Sequence, residues 1–225
     1  MIIKMASLDW RAMKLYHKLV FLTPLYFFIF GMPSSIFVVP FGVLYCAALS
    51  TWAFSVEDKG DLNRLYLTLS VKKREIVAGR YLLSLIMLII GALMGAGIMF
   101  IVNNSNFPLF VGDKLAINAA MLITVVVVAY LLYAVYILCS FPLLFMVGYQ
   151  KGKFFSIPCF LVIMLGLMAP IVILEDSGQE SIIVKLLGFA EENLFLLSGS
   201  VFLAATVIFI LSYFISVKVY SKREF

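Results

Sequence analysis

Long stretches without a single charged residue constrain this chain more than any other feature of its sequence. Residues 19–56 and 81–112 are runs of 38 and 32 uncharged residues, and residues 115–150 add a third run of 36. About 20 apolar residues are enough for a helix to cross a bilayer. With 64% hydrophobic and 13% charged residues and a mean hydropathy of +1.11, the chain is predicted to be an all-α integral membrane protein. Residues 1–225 are expected to form one transmembrane domain.

The uncharged runs predict six membrane helices. The first run is too long for one helix and has turn residues at 31–35, so helices are expected at about 17–31 and 36–55. A re-entrant hairpin is the alternative for this pair. The third run forms either one helix with a kink near Pro142 or two short helices, and orientation favours one crossing. The remaining helices are predicted at about residues 80–102, 154–174 and 194–217, with a short outer-face helix within 175–193.

The basic residues predict the orientation of these helices. If the N-terminus, residues 57–80, residues 151–153 and the C-terminus share one side, that side carries 15 of the 17 Lys and Arg residues. Only Lys114 and Lys185 remain for the other side. Cytoplasmic loops carry an excess of Lys and Arg. Both termini are therefore predicted in the cytoplasm, with residues 175–193 outside the cell.

Residues 1–18 have the pattern of a basic amphipathic helix. Apolar side chains such as Trp10 and Met13 alternate with Arg11 and Lys14 at helical spacing. Such a helix lies in the lipid headgroup region, where Trp10 and Tyr16 would act as anchors. An ordinary solvated lead-in to the first membrane helix is the alternative.

No motif indicates enzymatic chemistry or a cofactor. The one histidine, His17, lies at the membrane edge, so a His-x-x-x-His metal pair is excluded, and no Gly-x-Ser-x-Gly nucleophile motif occurs. The predicted helix interiors contain no Asp or Glu, which disfavours an ion-coupled carrier. A phosphate-binding Gly-x-x-x-x-Gly-Lys-Ser/Thr loop is also missing. We expect no metal, no cofactor and no nucleic-acid partner, and any energy for transport would come from another protein.

Residues 57–80 form a charged segment between two apolar runs. Asp61 is suited to cap a short helix at 62–69. Along one face of that helix lie Leu62, Leu65, Tyr66 and Leu69, with Asn63 and Arg64 off the face. The apolar face either docks a partner protein or rests on lipid or neighbouring helices.

A basic step follows this short helix. Lys72, Lys73, Arg74 and then Arg80 are expected at the level of the lipid phosphates, just before the third membrane helix. The two parts of the segment are joined at Ser70.

The sequence of residues 62–82 resembles the permease subunits of the ABC type-2 transporter family. In that family this loop commonly reads Ser/Thr-Leu-Pro-Val, followed by basic residues, Ile-Val and a Lys/Arg-Tyr pair. Ser70 replaces the usual proline, which softens the turn and leaves the basic step in place. The six-helix plan extends the resemblance over most of the chain. The matching residues are Thr68, Leu69, Val71, Lys72, Lys73, Arg74, Ile76, Val77, Arg80 and Tyr81.

The resemblance implies a permease that has no ATPase site of its own. Two permease copies, expected to be identical, would pair in the membrane, and each would dock a separate ABC ATPase that binds ATP and Mg. The short helix would then be the coupling helix. In size and compactness the chain resembles bacterial plasma-membrane permeases that export amphipathic peptides, including phenol-soluble modulin and antimicrobial-peptide exporters. The docking residues implied are Asp61, Leu62, Asn63, Arg64, Leu65, Tyr66, Thr68 and Leu69.

The substrate path is expected between the second and fifth membrane helices, where aromatic and Met side chains offer adaptable apolar contacts. Tyr45, Trp52, Phe54 and Phe160 are the candidate cavity residues, although aromatic residues in membrane helices also pack internally or face lipid. A non-transporting immunity or sensor protein that binds a peptide is the rival hypothesis. An ion-driven secondary transporter is a further alternative.

Overall fold

The computed structural model describes residues 2–16, 38–60, 72–104, 119–176 and 194–222. Within these ranges the chain forms α-helices and no strand. The predicted membrane helix at 17–31, the coupling helix at 61–69 and residues 177–193 of the outer segment lie outside them. The helices are α1 (Ile2–Tyr16), α2 (Val38–Ser50), α3 (Trp52–Gly60), α4 (Lys73–Asn104), α5 (Ala119–Val147), α6 (Tyr149–Asp176) and α7 (Leu194–Ser221).

Four stretches of the described chain are long and apolar enough to cross a membrane. They are Val38–Val56, Lys73–Ile101, Leu122–Val147 and Phe195–Ser221. Large apolar side chains also remain exposed on the outer surfaces of α6 and α7, as Phe154 and Phe195 illustrate. An apolar surface of this kind is expected where a protein meets lipid. The prediction of an all-helical membrane protein is therefore confirmed for the described residues.

The centre of the molecule is a bundle of α2, α4, α5 and α7. Within this bundle α2 packs on α4 and α5, and α7 packs on α5 and α4. Its interior is filled by apolar and aromatic side chains from all four helices, including Val43, Tyr81, Tyr133 and Phe209. Helix α1 lies outside the bundle against α4 and α3, and α6 lies outside it against α5 and α3.

Helix α4 begins seven residues earlier than predicted, at Lys73 instead of Arg80. Glu75 lies in the first turn, and its carboxylate accepts a hydrogen bond from the backbone N–H of Lys72 at 3.4 Å. A glutamate at this position satisfies a free N–H at the start of a helix and offsets the basic residues beside the helix dipole. The basic step is thus the first two turns of α4.

The structure shows where the helices break within the first and third uncharged runs. Helix α2 ends at Ser50 and α3 begins at Trp52, and at Thr51 the backbone N–H and the hydroxyl both bond the carbonyl of Ala48, at 3.1 and 2.7 Å. Such back-bonding by Ser and Thr bends helices. Helix α5 runs through Pro142 as one helix, as predicted, and ends at Val147. Gly148 follows it with a φ of 79°, a conformation that favours glycine.

Two glycines on α4 allow α2 to approach closely. A Cβ added at Gly91 would lie 2.8 Å from the carbonyl oxygen of Gly42, and one added at Gly95 would lie 2.7 Å from the Cα of Val39. Small residues four apart commonly mediate contacts between membrane helices, and their partner here is α2 of the same chain. A Cβ at Gly97 would meet nothing within 4 Å.

We therefore expect Gly95→Ala to destabilise the protein and Gly97→Ala to leave it unchanged or slightly stabilised. The first substitution forces the backbones of α2 and α4 apart, an overpacking cost of about 1–3 kcal/mol. The second gains roughly 0.5–1 kcal/mol of helix propensity. Thermal unfolding of the purified variants in detergent measures the difference. Equal melting temperatures would contradict the α2–α4 contact.

Candidate functional site

Most of the described Lys and Arg residues lie at one end of the bundle. Lys73, the first residue of α4, donates from Nζ to the carbonyl oxygen of Ser221 at the end of α7, at 3.3 Å. Near the end of α5, the ring of Phe145 packs on that of Tyr220 with centroids 5.2 Å apart. The start of α4 therefore meets the ends of α5 and α7, and we call this the basic end. Lys72, Lys73 and Arg74 lie at the start of α4, Lys151 and Lys153 lie near the start of α6, and Lys218 and Lys222 lie at the end of α7.

The predicted basic step divides into exposed and buried residues. Lys72 and Arg74 are exposed and Lys73 is half-buried. The Arg74 guanidinium donates from Nε to the hydroxyl of Tyr213 on α7, at 3.5 Å. Arg80, in contrast, lies inside the protein with only 2% of its side chain exposed. The prediction of a surface position therefore fails for Arg80.

The Arg80 side chain has a countercharge and two aromatic neighbours. Its Nε lies 3.8 Å from Oδ2 of Asp9 on α1, whose side chain is 3% exposed. Its guanidinium carbon lies 4.1 Å from the ring centroid of Phe54 on α3 and 5.6 Å from that of Phe145 on α5. A guanidinium is attracted to the faces of aromatic rings, and a buried charge needs a partner of opposite sign. These contacts bring together α1, α3, α4 and α5 at one residue.

Sequence analysis did not identify the pairing of Asp9 with Arg80, although the position of Asp9 is unusual. It is the one acidic residue among the first 56, in a segment predicted to lie on the membrane surface. Instead, α1 packs through Met5, Ala6 and Asp9 on the protein, and Trp10 packs on the same side near Ala6. The N-terminal helix is thus held by the bundle over this face.

A groove opens beside α3, where α6 passes. We define the α3–α6 groove by Ala48, Thr51 and Trp52 on one wall, Tyr149, Lys153, Ser156, Ile157 and Phe160 on the other, and Tyr136 of α5. Its volume is about 150 Å³. Lys153 is the one charged residue among those that line it. The break between α2 and α3 at Thr51 forms part of the wall.

Hydrogen bonds between hydroxyl groups connect α5 and α6 beside the groove. The Tyr136 hydroxyl lies 3.0 Å from Oγ of Ser156, which in turn donates to Oγ of Ser140 at 3.3 Å. Tyr136 also packs its ring edge-on against Phe160, with centroids 6.1 Å apart. These contacts fix the antiparallel register of α5 and α6, and the close approach of Gly152 to Leu144 extends it to the basic end.

The structure brings two of the four candidate cavity residues together. Trp52 and Phe160 face each other across the groove. Phe54 is buried against Phe141 and Phe145 and does not line this groove. Tyr45 is half-buried on α2, outside the residues that line the groove. Sequence analysis did not identify Tyr136, Ser156 or Lys153 as lining residues, because their inclusion depends on the register between α5 and α6.

Comparison with known proteins identifies one family. Residues 1–221 match the family described as ABC-2 family transporter protein. No curated protein and no solved structure matches the chain. The matched region includes every described helix.

The geometry of Arg80 predicts strong coupling between two substitutions. We expect Asp9→Ala and Arg80→Met each to lower the free energy of unfolding by about 3 kcal/mol, because each removes or strands one charge of a buried pair. The double variant should lose clearly less than the sum, since it leaves no unpaired charge. Thermal or denaturant unfolding in detergent measures all three. Additive losses would show that the two side chains do not interact.

Proposed function

The chain belongs to the ABC-2 family of transporter proteins, and from this membership we propose that it is the permease subunit of an ATP-driven exporter. The single observation that carries the proposal is the family match over residues 1–221, which is nearly the whole chain. The exported substrate is amphipathic or hydrophobic, a peptide being the leading candidate. A separate ABC ATPase hydrolyses the ATP, so the permease itself binds no nucleotide.

In this proposal the permease has six membrane helices, cytoplasmic termini and one transmembrane domain in the bacterial plasma membrane. The clustering of the described Lys and Arg residues at the basic end supports it, because the cytoplasmic side of a membrane protein is enriched in these residues. Residues 1–18 would lie along that side, and residues 175–193 would face outward.

Residues 61–69 are proposed as the coupling helix that docks the ATPase. Their place in the chain supports this, since they join α3, which ends at Gly60, to α4, which begins at Lys73 at the basic end. The apolar residues Leu62, Leu65, Tyr66 and Leu69 would enter a cleft of the ATPase, with two ATPases serving a permease homodimer. The exposed charges of Lys72 and Arg74 would sit beside this contact at the lipid phosphates.

The α3–α6 groove is proposed as part of the substrate path. Its walls come from the helices expected to line the path, and Trp52 and Phe160 supply aromatic surface on both sides. Helix α3 leads directly into residues 61–69, so the groove wall and the proposed docking segment are parts of one continuous stretch of chain.

An ion-coupled carrier is less consistent with the described residues. Such carriers commonly use a carboxylate within the membrane to bind the driving ion. The buried carboxylate of the described chain is Asp9, and it is paired with Arg80. No observation favours the immunity or sensor hypothesis over transport.

The docking assignment is tested by charge placed on the apolar face. We expect Leu65→Asp and Tyr66→Asp to abolish copurification of the partner ATPase, because a buried carboxylate in the cleft costs several kcal/mol. The variants should remain monodisperse in detergent.

Asn63→Asp is the matched control, since it adds the same charge off the proposed face. Because Asn63 belongs to the docking segment but lies off its apolar face, this variant should retain most of the copurifying ATPase. Retention of the ATPase by Leu65→Asp and Tyr66→Asp would exclude this segment as the docking helix.

Transport itself is tested in vesicles that contain the permease and its ATPase. We expect substrate accumulation to require ATP and Mg and to be insensitive to collapse of the proton and sodium gradients. Gradient-driven accumulation without nucleotide would instead identify a secondary transporter. Binding of peptide with no accumulation under either condition would favour the immunity or sensor hypothesis.

A further inference from the structure

The α3–α6 groove differs chemically from one end to the other. Lys153 lies near the start of α6, at the basic end, while Phe160 lies about two turns further into the membrane helix. The N-terminus of a helix carries partial positive charge, which adds to the charge of the Lys153 ammonium. The Lys153 ammonium lies 5.5 Å from the ring centroid of Phe154, and Lys153 is the one charged residue among those that line the groove. The lining of the groove therefore carries its positive charge at the basic end.

An apolar stripe on α6 continues from Lys153 toward the other end of the helix. Ile157, Leu161 and Leu165 follow Lys153 at four-residue intervals, so each lies about one turn beyond the last and the row winds around the helix by about 40° per step. All three are exposed. The stripe extends about 18 Å from Lys153, at 1.5 Å per residue. Lys153 thus lies at one end of the exposed apolar surface of α6, which also includes Phe154, Phe155 and Val162.

The size of the groove limits what it can hold. A volume of about 150 Å³ suits one small group of a substrate and not the whole molecule, since a cavity of about this size holds a single benzene. Hydroxyl groups of Thr51, Tyr136 and Ser156 line or adjoin this space, but they donate their protons to acceptors within the protein. Among the side chains that line the groove, the Lys153 ammonium is therefore the donor best suited to an anion. The groove fits a head group better than an apolar tail.

We propose that the α3–α6 groove binds the anionic head group of a single-chain amphiphile whose apolar part lies along Ile157, Leu161 and Leu165. Lys153 is the residue that selects the negative charge. Trp52 and Phe160 enclose the junction between the head group and the apolar chain. The inference rests on the proposed function in that it names the charge of the substrate that this path accepts.

Binding to the permease alone tests the inference. The protein carries Trp10 and Trp52 as its two tryptophans, so a Trp10→Phe background leaves Trp52 as a fluorescent probe in the groove wall. The ligands are tetradecyl phosphate, tetradecylphosphocholine and tetradecyltrimethylammonium, which share one chain and differ in charge. The permease is held in nanodiscs of zwitterionic lipid, without ATPase or nucleotide.

We expect the phosphate amphiphile to bind about tenfold more tightly than the cationic one, a preference typical of a partly desolvated charged contact. Lys153→Gln should remove this preference, and Lys153→Arg should retain most of it. Lys151→Gln is the matched control, because Lys151 is exposed two residues away and does not line the groove. Its affinities should match those of the parent protein.

Three results would overturn the proposal. One is equal affinity for the three ligands in the parent protein, and another is an equal effect of Lys151→Gln and Lys153→Gln. The third is displacement of the phosphate amphiphile by an equimolar amount of phosphatidylglycerol, which would assign the site to a two-chain membrane lipid.

Failure of the inference and failure of the proposed function give different results. Lys153-dependent binding with no ATP-driven transport would remove the exporter proposal and leave the head-group site. ATP-driven transport with no charge preference at Lys153 would do the reverse.

Discussion

A positive charge inside an apolar bundle is the constraint on which the basic end of this structure depends. Arg80 is placed two turns into α4, where its guanidinium is almost fully buried, so it must be stabilised by its neighbours. Asp9 supplies the countercharge, and Phe54 and Phe145 supply ring faces. Because these residues come from four helices, one charge fixes the positions of α1, α3 and α5 relative to α4. An apolar residue at this position would impose no such order.

Away from Arg80, the bundle is specified by close backbone contact and by hydroxyl groups. Gly91 and Gly95 bring α2 against α4. The hydroxyl of Tyr81 lies 2.6 and 2.8 Å from those of Ser212 and Ser216, which ties α4 to α7. Apolar surface alone does not favour one helix partner over another in lipid, because lipid tails are equally apolar. Shape complementarity and hydrogen bonding must therefore determine which helices pack together.

The sequence predicted what depends on local pattern and missed what depends on register between helices. The apolar pattern identified the four candidate membrane spans of the described residues, and the continuous helix through Pro142 was expected. The start of α4 was missed because Glu75 acts as a cap for the basic step. The glycine pattern on α4 predicted close packing, but no local signal could name α2 as the partner. The pairing of Asp9 with Arg80 joins residues 71 positions apart, and the packing of Phe54 on Phe141 joins residues 87 positions apart. Neither contact has a local signal in the sequence.

Helix α3 connects the two parts of the site that are otherwise separate. Phe54 on one side of this helix packs under Arg80, and Trp52 on another side forms a wall of the α3–α6 groove. The helix is only nine residues long, is separated from α2 by the break at Thr51, and leads at Gly60 into residues 61–71. A short helix with a break at one end moves as a unit more easily than the middle of a long helix. Displacement of α3 would therefore alter the groove and the Arg80 contacts together, because Trp52 and Phe54 both lie in the first turn of α3.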